Sequence, residues 1–254
     1  MPDIVALPLK VHVGDGETVS ALLCAPSNAR ACYVFAHGAG AGMDHPFMAV
    51  VARDLADRAV ATLRFQFPYM EHGSRRPDTP RAAQSAVRAA VAQARERLPD
   101  VALFAGGKSF GGRMTSQAQA VEPLAGVVGL VFVGFPLHAA GKPSADRAAH
   151  LAAVTCPMLF LQGTRDELAD LPLLRTALQP LGTRATLTVF DDADHSFHVR
   201  KSSGRTDDQV RAAMVDAMVQ WMARHHPPSS LEVPPLSPLS QSLPEPRSTS
   251  RSSS

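Results

Sequence analysis

The chain is poor in cysteine, has no long apolar run and carries no excess of charge of either sign. Its 254 residues include three cysteines, Cys24, Cys32 and Cys156. An odd number without metal-ligand spacing argues against both a disulfide framework and a metal cluster. Cys24 and Cys32 fall in apolar runs and read as buried core thiols. No stretch of 18 apolar residues occurs, so no membrane-spanning helix is expected. Met1 to Lys10 shows no apolar stretch behind a basic segment, so no signal peptide is read and the cytoplasm is the expected compartment. Lys and Arg number 25 against 23 Asp and Glu, a formal net charge of +2. That is too little to hold nucleic acid or an acidic membrane surface.

What the chain does have is 45% hydrophobic and 19% charged residues. This suits one α/β domain with a sizeable core, placed at residues 1–226. Residues 227–254 are different: 10 serines and seven prolines stand among 28 residues. Such a segment buries too little apolar surface to offset its ordering entropy and is read as a disordered tail. Its Pro235-Leu236-Ser237-Pro238 matches a PxxP pattern that this composition produces by chance.

Within the domain, strand and helix signals alternate. Val11–Val13 and Val19–Cys24 flank Gly14-Asp15-Gly16, an expected antiparallel hairpin. Strands are expected at 31–36, 60–67, 101–105, 126–133, 158–162 and 185–190. Helices are expected at 46–58, 79–98, 109–120, 171–178 and 207–224. In the last of these Val210, Met214, Ala217 and Trp221 share one face. Alternation of this kind predicts a mainly parallel sheet with helices on both faces. Sites on such sheets form beyond the carboxyl ends of the strands. His37, Ser109, Asp166 and His195 all fall just past an expected strand end.

The richest stretch is Gly106-Gly107-Lys108-Ser109-Phe110-Gly111-Gly112, directly behind the apolar run Val101 to Ala105. A strand that turns this sharply into a helix leaves no room beside the serine, hence Gly107 and Gly111. The pattern is the G-x-S-x-G nucleophile elbow. A serine hydroxyl needs a base, and the base needs a carboxylate to hold its tautomer. The chain offers both in the order Ser, Asp, His: Gln162-Gly163-Thr164-Arg165-Asp166 and Asp194-His195-Ser196-Phe197, each behind a strand. Ser109 is assigned as nucleophile, His195 as general base and acid, and Asp166 as its orienter. Asp170 competes with Asp166 for the carboxylate and for helix capping, and His198 lies close to His195. Asp191, Asp192 and Asp194 read as loop-stabilising or solvated.

Negative charge on a tetrahedral intermediate calls for fixed N–H donors. The backbone N–H groups of Ala39 and Phe110 are assigned to that task, Ala39 within His37-Gly38-Ala39-Gly40-Ala41-Gly42. A phosphate loop is not read here, since neither G-x-G-x-x-G nor a P-loop lysine is present. His37, Tyr69, Met70 and Phe135 are expected to line the substrate pocket. Arg75 and Arg76 read as solvated. Lys108 is expected to turn inward and to need an acidic partner. About 20 residues join Gly134 to Pro157, too few for a large cap domain.

Together these residues resemble the α/β-hydrolase fold. His37 to Gly40, Arg64 to Tyr69, Gly106 to Arg113, Phe135 to His138, Gln162 to Asp166 and Asp194 to Phe197 more narrowly resemble one group. That group joins bacterial dienelactone-hydrolase-like proteins to animal testis-expressed protein 30 and KAT8 regulatory complex subunit 3. The resemblance covers about residues 10–225. It implies an eight-stranded sheet, no cofactor and hydrolase chemistry, and little about substrate; the triad and glycine loop themselves are read as a serine hydrolase acting on a small-molecule carboxylic ester or thioester. Dienelactone hydrolases carry a cysteine nucleophile, whereas position 109 is serine, so dienelactone itself is not the expected substrate. The alternative is a non-catalytic interaction or scaffold protein on the same fold, since one relative is a chromatin-complex subunit.

Overall fold

The computed structural model describes residues 5–14 and 16–226. Asp15 of the expected hairpin turn and the 227–254 tail lie outside the described residues. Eight strands form one sheet in the order β1-β2-β4-β3-β5-β6-β7-β8. They are β1 (Leu7–His12), β2 (Thr18–Cys24), β3 (Ala31–Ala36), β4 (Val60–Phe65), β5 (Ala102–Lys108), β6 (Val127–Val133), β7 (Met158–Gly163) and β8 (Ala185–Phe190). β1 and β2 run antiparallel; β3 to β8 are mutually parallel. The fold is that of an α/β hydrolase, mainly parallel and without a cap domain, as expected.

Strand composition follows strand position. β3, β4 and β7 are buried along their whole length and β5 up to Gly107, and they are largely apolar because helices cover both faces, with Thr62 and Arg64 in β4 and Gln162 in β7 as buried polar exceptions. The edge strand β1 is mostly exposed and the edge strand β8 is half-buried. Among the described residues there are six α-helices: α1 (Pro46–Ala56), α2 (Pro68–Glu71), α3 (Pro80–Arg97), α4 (Phe110–Val121), α5 (Leu171–Leu178) and α6 (Asp207–His225). α3, α4 and α5 bury apolar residues on one face of the sheet, α1 and α6 on the other. α6 lies so close to β6 that a Cβ on Gly129 would stand 2.7 Å from the Trp221 ring.

Several boundaries differ from the sequence reading. β5 runs on to Lys108, because its glycines pair in register with β3 and β6. β4 ends at Phe65, since Pro68 starts the short α2. The 134–157 connection contains a 3-10 segment, Asp146–Ala153, packed on α4 rather than over the sheet edge. Among the described residues no helix is long and apolar enough to cross a membrane.

Candidate active site

The parallel strands end along one sheet edge, and the assigned residues arrive there from different strands. β5, paired on both sides, delivers Ser109. Ser109 has φ 50° and ψ −115°, a conformation that non-glycine residues rarely adopt. Its neighbours show why the elbow needs glycine. A Cβ on Gly107 would stand 2.4 Å from the Ala36 carbonyl oxygen, and one on Gly111 2.5 Å from the same atom. Gly106, at φ +155°, would meet the Val131 oxygen at 1.8 Å. Backbone thus closes on the turn from β3 and from β6, and the serine faces the open cavity.

The Ser109 hydroxyl lies 2.9 Å from His195 Nε2. On the far side of the ring, His195 Nδ1 lies 2.7 Å from Asp166 Oδ2. The Asp166 side chain is fully buried. It also accepts hydrogen bonds from Gln162 Nε2 (2.5 Å) and from the Leu168 N–H (2.8 Å). A carboxylate held by three donors has one lone-pair direction aimed at the imidazole, which fixes Nδ1–H and leaves Nε2 to accept. With that tautomer the Nε2 lone pair points at the Ser109 hydroxyl.

The competing residues are otherwise engaged. Asp170 caps α5 through the Leu173 N–H at 2.8 Å. His198 is exposed and pairs with Asp207 at 2.8 Å, which raises its pKa. Asp194 accepts the N–H groups of Ser196 and His198 and so stiffens the histidine loop.

A second serine–histidine contact, Ser116 Oγ to His150 Nε2 at 2.7 Å, has a different logic. Ser116 donates its proton to the Arg113 carbonyl at 2.9 Å. The His150 ring must then donate to the hydroxyl, so it is not a base toward it. Burial, with Arg113 nearby, lowers the His150 pKa to about 4. This pair fastens the 3-10 segment to α4.

The glycine loop behind β3 borders the other side of Ser109. Among the described residues neither the Ala39 nor the Phe110 N–H has an intramolecular acceptor. Both flank the serine, Ala39 on the cavity wall and Phe110 as its chain neighbour. Tyr69 supports the loop, its hydroxyl accepting the Gly40 N–H at 2.7 Å. His37 supports it too: Nδ1 lies 2.7 Å from the Gly38 carbonyl and Nε2 accepts the Phe67 N–H at 3.1 Å. Its burial lowers its pKa to about 4, so the ring is neutral.

A cavity of about 370 Å³ opens over Ser109. Its apolar wall comes from Ala39, Ala41, Phe47, Met48 and Leu168; His45, Lys108, His195 and Ser196 complete it. The four residues expected as pocket lining are elsewhere, and this corrects the sequence reading. His37 is fully buried beneath the glycine loop. Tyr69 points its hydroxyl at Gly40, and Met70 lies beside Gly42. Phe135 is buried in an edge-to-face cluster with Phe132 and Phe160. The actual lining includes Phe47 and Met48, from the first turn of α1. Its signal in the sequence is that Pro46 starts a helix immediately behind the glycine loop, which aims that turn at the strand ends.

Lys108 also departs from expectation. Its ammonium donates to the His195 backbone carbonyl at 2.5 Å rather than to a carboxylate. Burial pulls its pKa down to about 8, partly offset by the charges of Asp166 and Asp194.

The chain matches the family described as alpha/beta hydrolase domain over residues 29–223. Its fold is similar to that of a dienelactone hydrolase from Anabaena variabilis, with TM-score 0.69 and 22% identity, over 86% of this chain and 97% of that one. It is similar to an a/b serine hydrolase without lid from Xanthomonas campestris, with TM-score 0.65 and 21% identity, over 88% and 95% of the two chains. It is also similar to the esterase domain of a Rhodothermus marinus protein, with TM-score 0.66 and 16% identity, over 86% and 98%.

Proposed function

The chain belongs to the alpha/beta hydrolase domain family, and from that membership we propose that it is a serine hydrolase cleaving a carboxylic ester or thioester through an acyl-serine intermediate. The observation that carries this reading is the unbroken line of contacts from Ser109 Oγ through the His195 ring to the buried Asp166 carboxylate. In the proposed reaction Ser109 Oγ attacks the acyl carbon while His195 Nε2 takes its proton. The carbonyl oxygen becomes an oxyanion facing the Ala39 and Phe110 N–H groups. His195 then returns the proton to the departing alcohol or thiol, and the carbonyl re-forms as acyl-serine. A water repeats the sequence, with His195 as base and Ser109 as leaving group. Asp166, bonded to Nδ1, stabilises the imidazolium that forms twice per turnover.

The lining suits a small apolar acyl group, since Ala39, Ala41, Phe47, Met48 and Leu168 offer dispersion contacts and no charge. Kinship with testis-expressed protein 30 and the KAT8 complex subunit is part of this proposal, supported by Gly106 to Arg113. So is the division into a 1–226 catalytic domain and a 227–254 tail. The test is hydrolysis of nitrophenyl esters and acyl thioesters of graded chain length, with fluorophosphonate labelling. Ser109→Ala should abolish labelling and lower kcat by at least about 10³-fold. A wild-type protein inert to every ester and to the phosphonate would leave the scaffold reading in its place.

A further inference from the structure

Lys108 precedes the proposed nucleophile, and the mechanism above gives it no task. Its surroundings are nevertheless specific. The ammonium donates to the His195 carbonyl at 2.5 Å. It also lies 5.8 Å from the centre of the Phe197 ring, within range of a cation–π attraction. Opposite stands Gly134, at φ +68°, where a Cβ would be 3.0 Å from Lys108 Nζ and 3.3 Å from His195 Cε1. The end of β6 therefore keeps open a space that the lysine and the imidazole share.

The loop bearing His195 has need of such a contact. It contains two non-glycine residues in the left-handed region, Asp192 (φ 57°) and Phe197 (φ 65°). Its ties to the neighbouring strand end lie at its base: the Asp192 N–H to Thr164 Oγ1, and the Arg165 N–H to the Ala193 carbonyl. From Asp194 to Phe197 the backbone bonds stay within the loop. The bond from Lys108 is the exception. Among the described residues it is the one hydrogen bond that the His195 backbone makes.

We propose that Lys108 is a positioning residue that pins the backbone of His195 to the nucleophile elbow, and so holds the imidazole at the Ser109 hydroxyl. The inference rests on the serine-hydrolase reading, which supplies the roles of both residues. The ring's two side-chain bonds set its orientation, but its position depends on where the loop places the Cα. A displacement of about 1 Å costs roughly 10²-fold in rate. A charged donor makes the stronger tether, and the lysine stem reaches past Gly38 to deliver it. The charged and titratable groups facing the ammonium are Asp166 from the β7 loop and Asp194 and the His195 ring from the β8 loop. The two carboxylates keep the ammonium tolerable in its half-buried position.

The experiment compares wild type with Lys108→Met, which keeps the stem length and removes the donor. Amide hydrogen exchange over residues 191–199 and the rate of Ser109 phosphonylation are both followed. The tether predicts about tenfold faster exchange in that loop, with α3 unchanged, and phosphonylation slowed 10- to 100-fold. For ester turnover it predicts a lower kcat at an unchanged KM. Wild-type exchange together with wild-type labelling in Lys108→Met overturns it. Should the variant not fold, 15N-lysine spectra of the wild type decide. The Lys108 ammonium protons must be protected from exchange with water and show NOE contacts to the Phe197 ring and Gly134; an ammonium that exchanges freely with water overturns the tether. A wild-type protein inert to the phosphonate defeats the hydrolase reading, while exchange in the loop still reports on the tether.

Discussion

Lys108 should make the stability of the protein depend on pH in a calculable way. Burial lowers its pKa from the ordinary 10.5 to about 8, against the opposing pull of Asp166 and Asp194. Below pH 8 the lysine is protonated whether the chain is folded or not, and the folded state bears the full cost of the buried charge. Between pH 8 and 10.5 the unfolded chain holds a proton that the folded chain has released. Stability therefore rises with pH across that window and levels off above it. A shift of this size, at 1.36 kcal/mol per unit, amounts to about 3 kcal/mol. Lys108→Met has no such group, and the other titrations are common to both proteins. Urea unfolding of wild type and variant at steps from pH 7 to 10.5 isolates the effect. The wild type should gain about 3 kcal/mol relative to the variant over the range, with unchanged m-values. A stability difference that stays flat from pH 7 to 10.5 would refute the burial argument, whatever its absolute size.

Other outcomes follow from the same geometry. Asp166→Asn should lower kcat by about 10⁴-fold with little change in KM, because an amide can donate to Nδ1 and turn the imidazole to the wrong tautomer; steady-state kinetics on an active ester checks this. Tyr69→Phe removes the acceptor of the Gly40 N–H and should cost about 1 kcal/mol in urea unfolding. It should also reduce kcat about tenfold by loosening the glycine loop, measured on the same ester. Gly106→Ala would drive a Cβ to 1.8 Å from the Val131 oxygen at φ +155°. It should destabilise by more than about 4 kcal/mol, seen as loss of the cooperative unfolding transition.

The sequence was most legible where one residue type has one physical use. Apolar runs bounded by Gly and Pro located the buried strands, because a strand covered on both faces has no polar side to show. Gly107 and Gly111 marked the elbow, since nothing larger fits against the Ala36 carbonyl. Ser109, Asp166 and His195, whose side chains meet in the structure, each follow a strand, and parallel strands all end along the same edge.

Side-chain direction at those strand ends was a different matter, because it depends on neighbours far away in the chain. Tyr69 and His37 had the right chemistry and the right address for a pocket. They serve instead as props under the glycine loop, since the Gly40 and Phe67 N–H groups need buried acceptors. Phe47 and Met48 took the wall because α1 starts where it does. The partner of Lys108 could not be read from charge, because it is a backbone carbonyl, which every residue carries. Local composition and order thus determined the strands, the elbow and the chemical groups on offer. Only the packing of distant segments decided which of those groups face the cavity, since that choice turns on buried hydrogen bonds between residues dozens of positions apart.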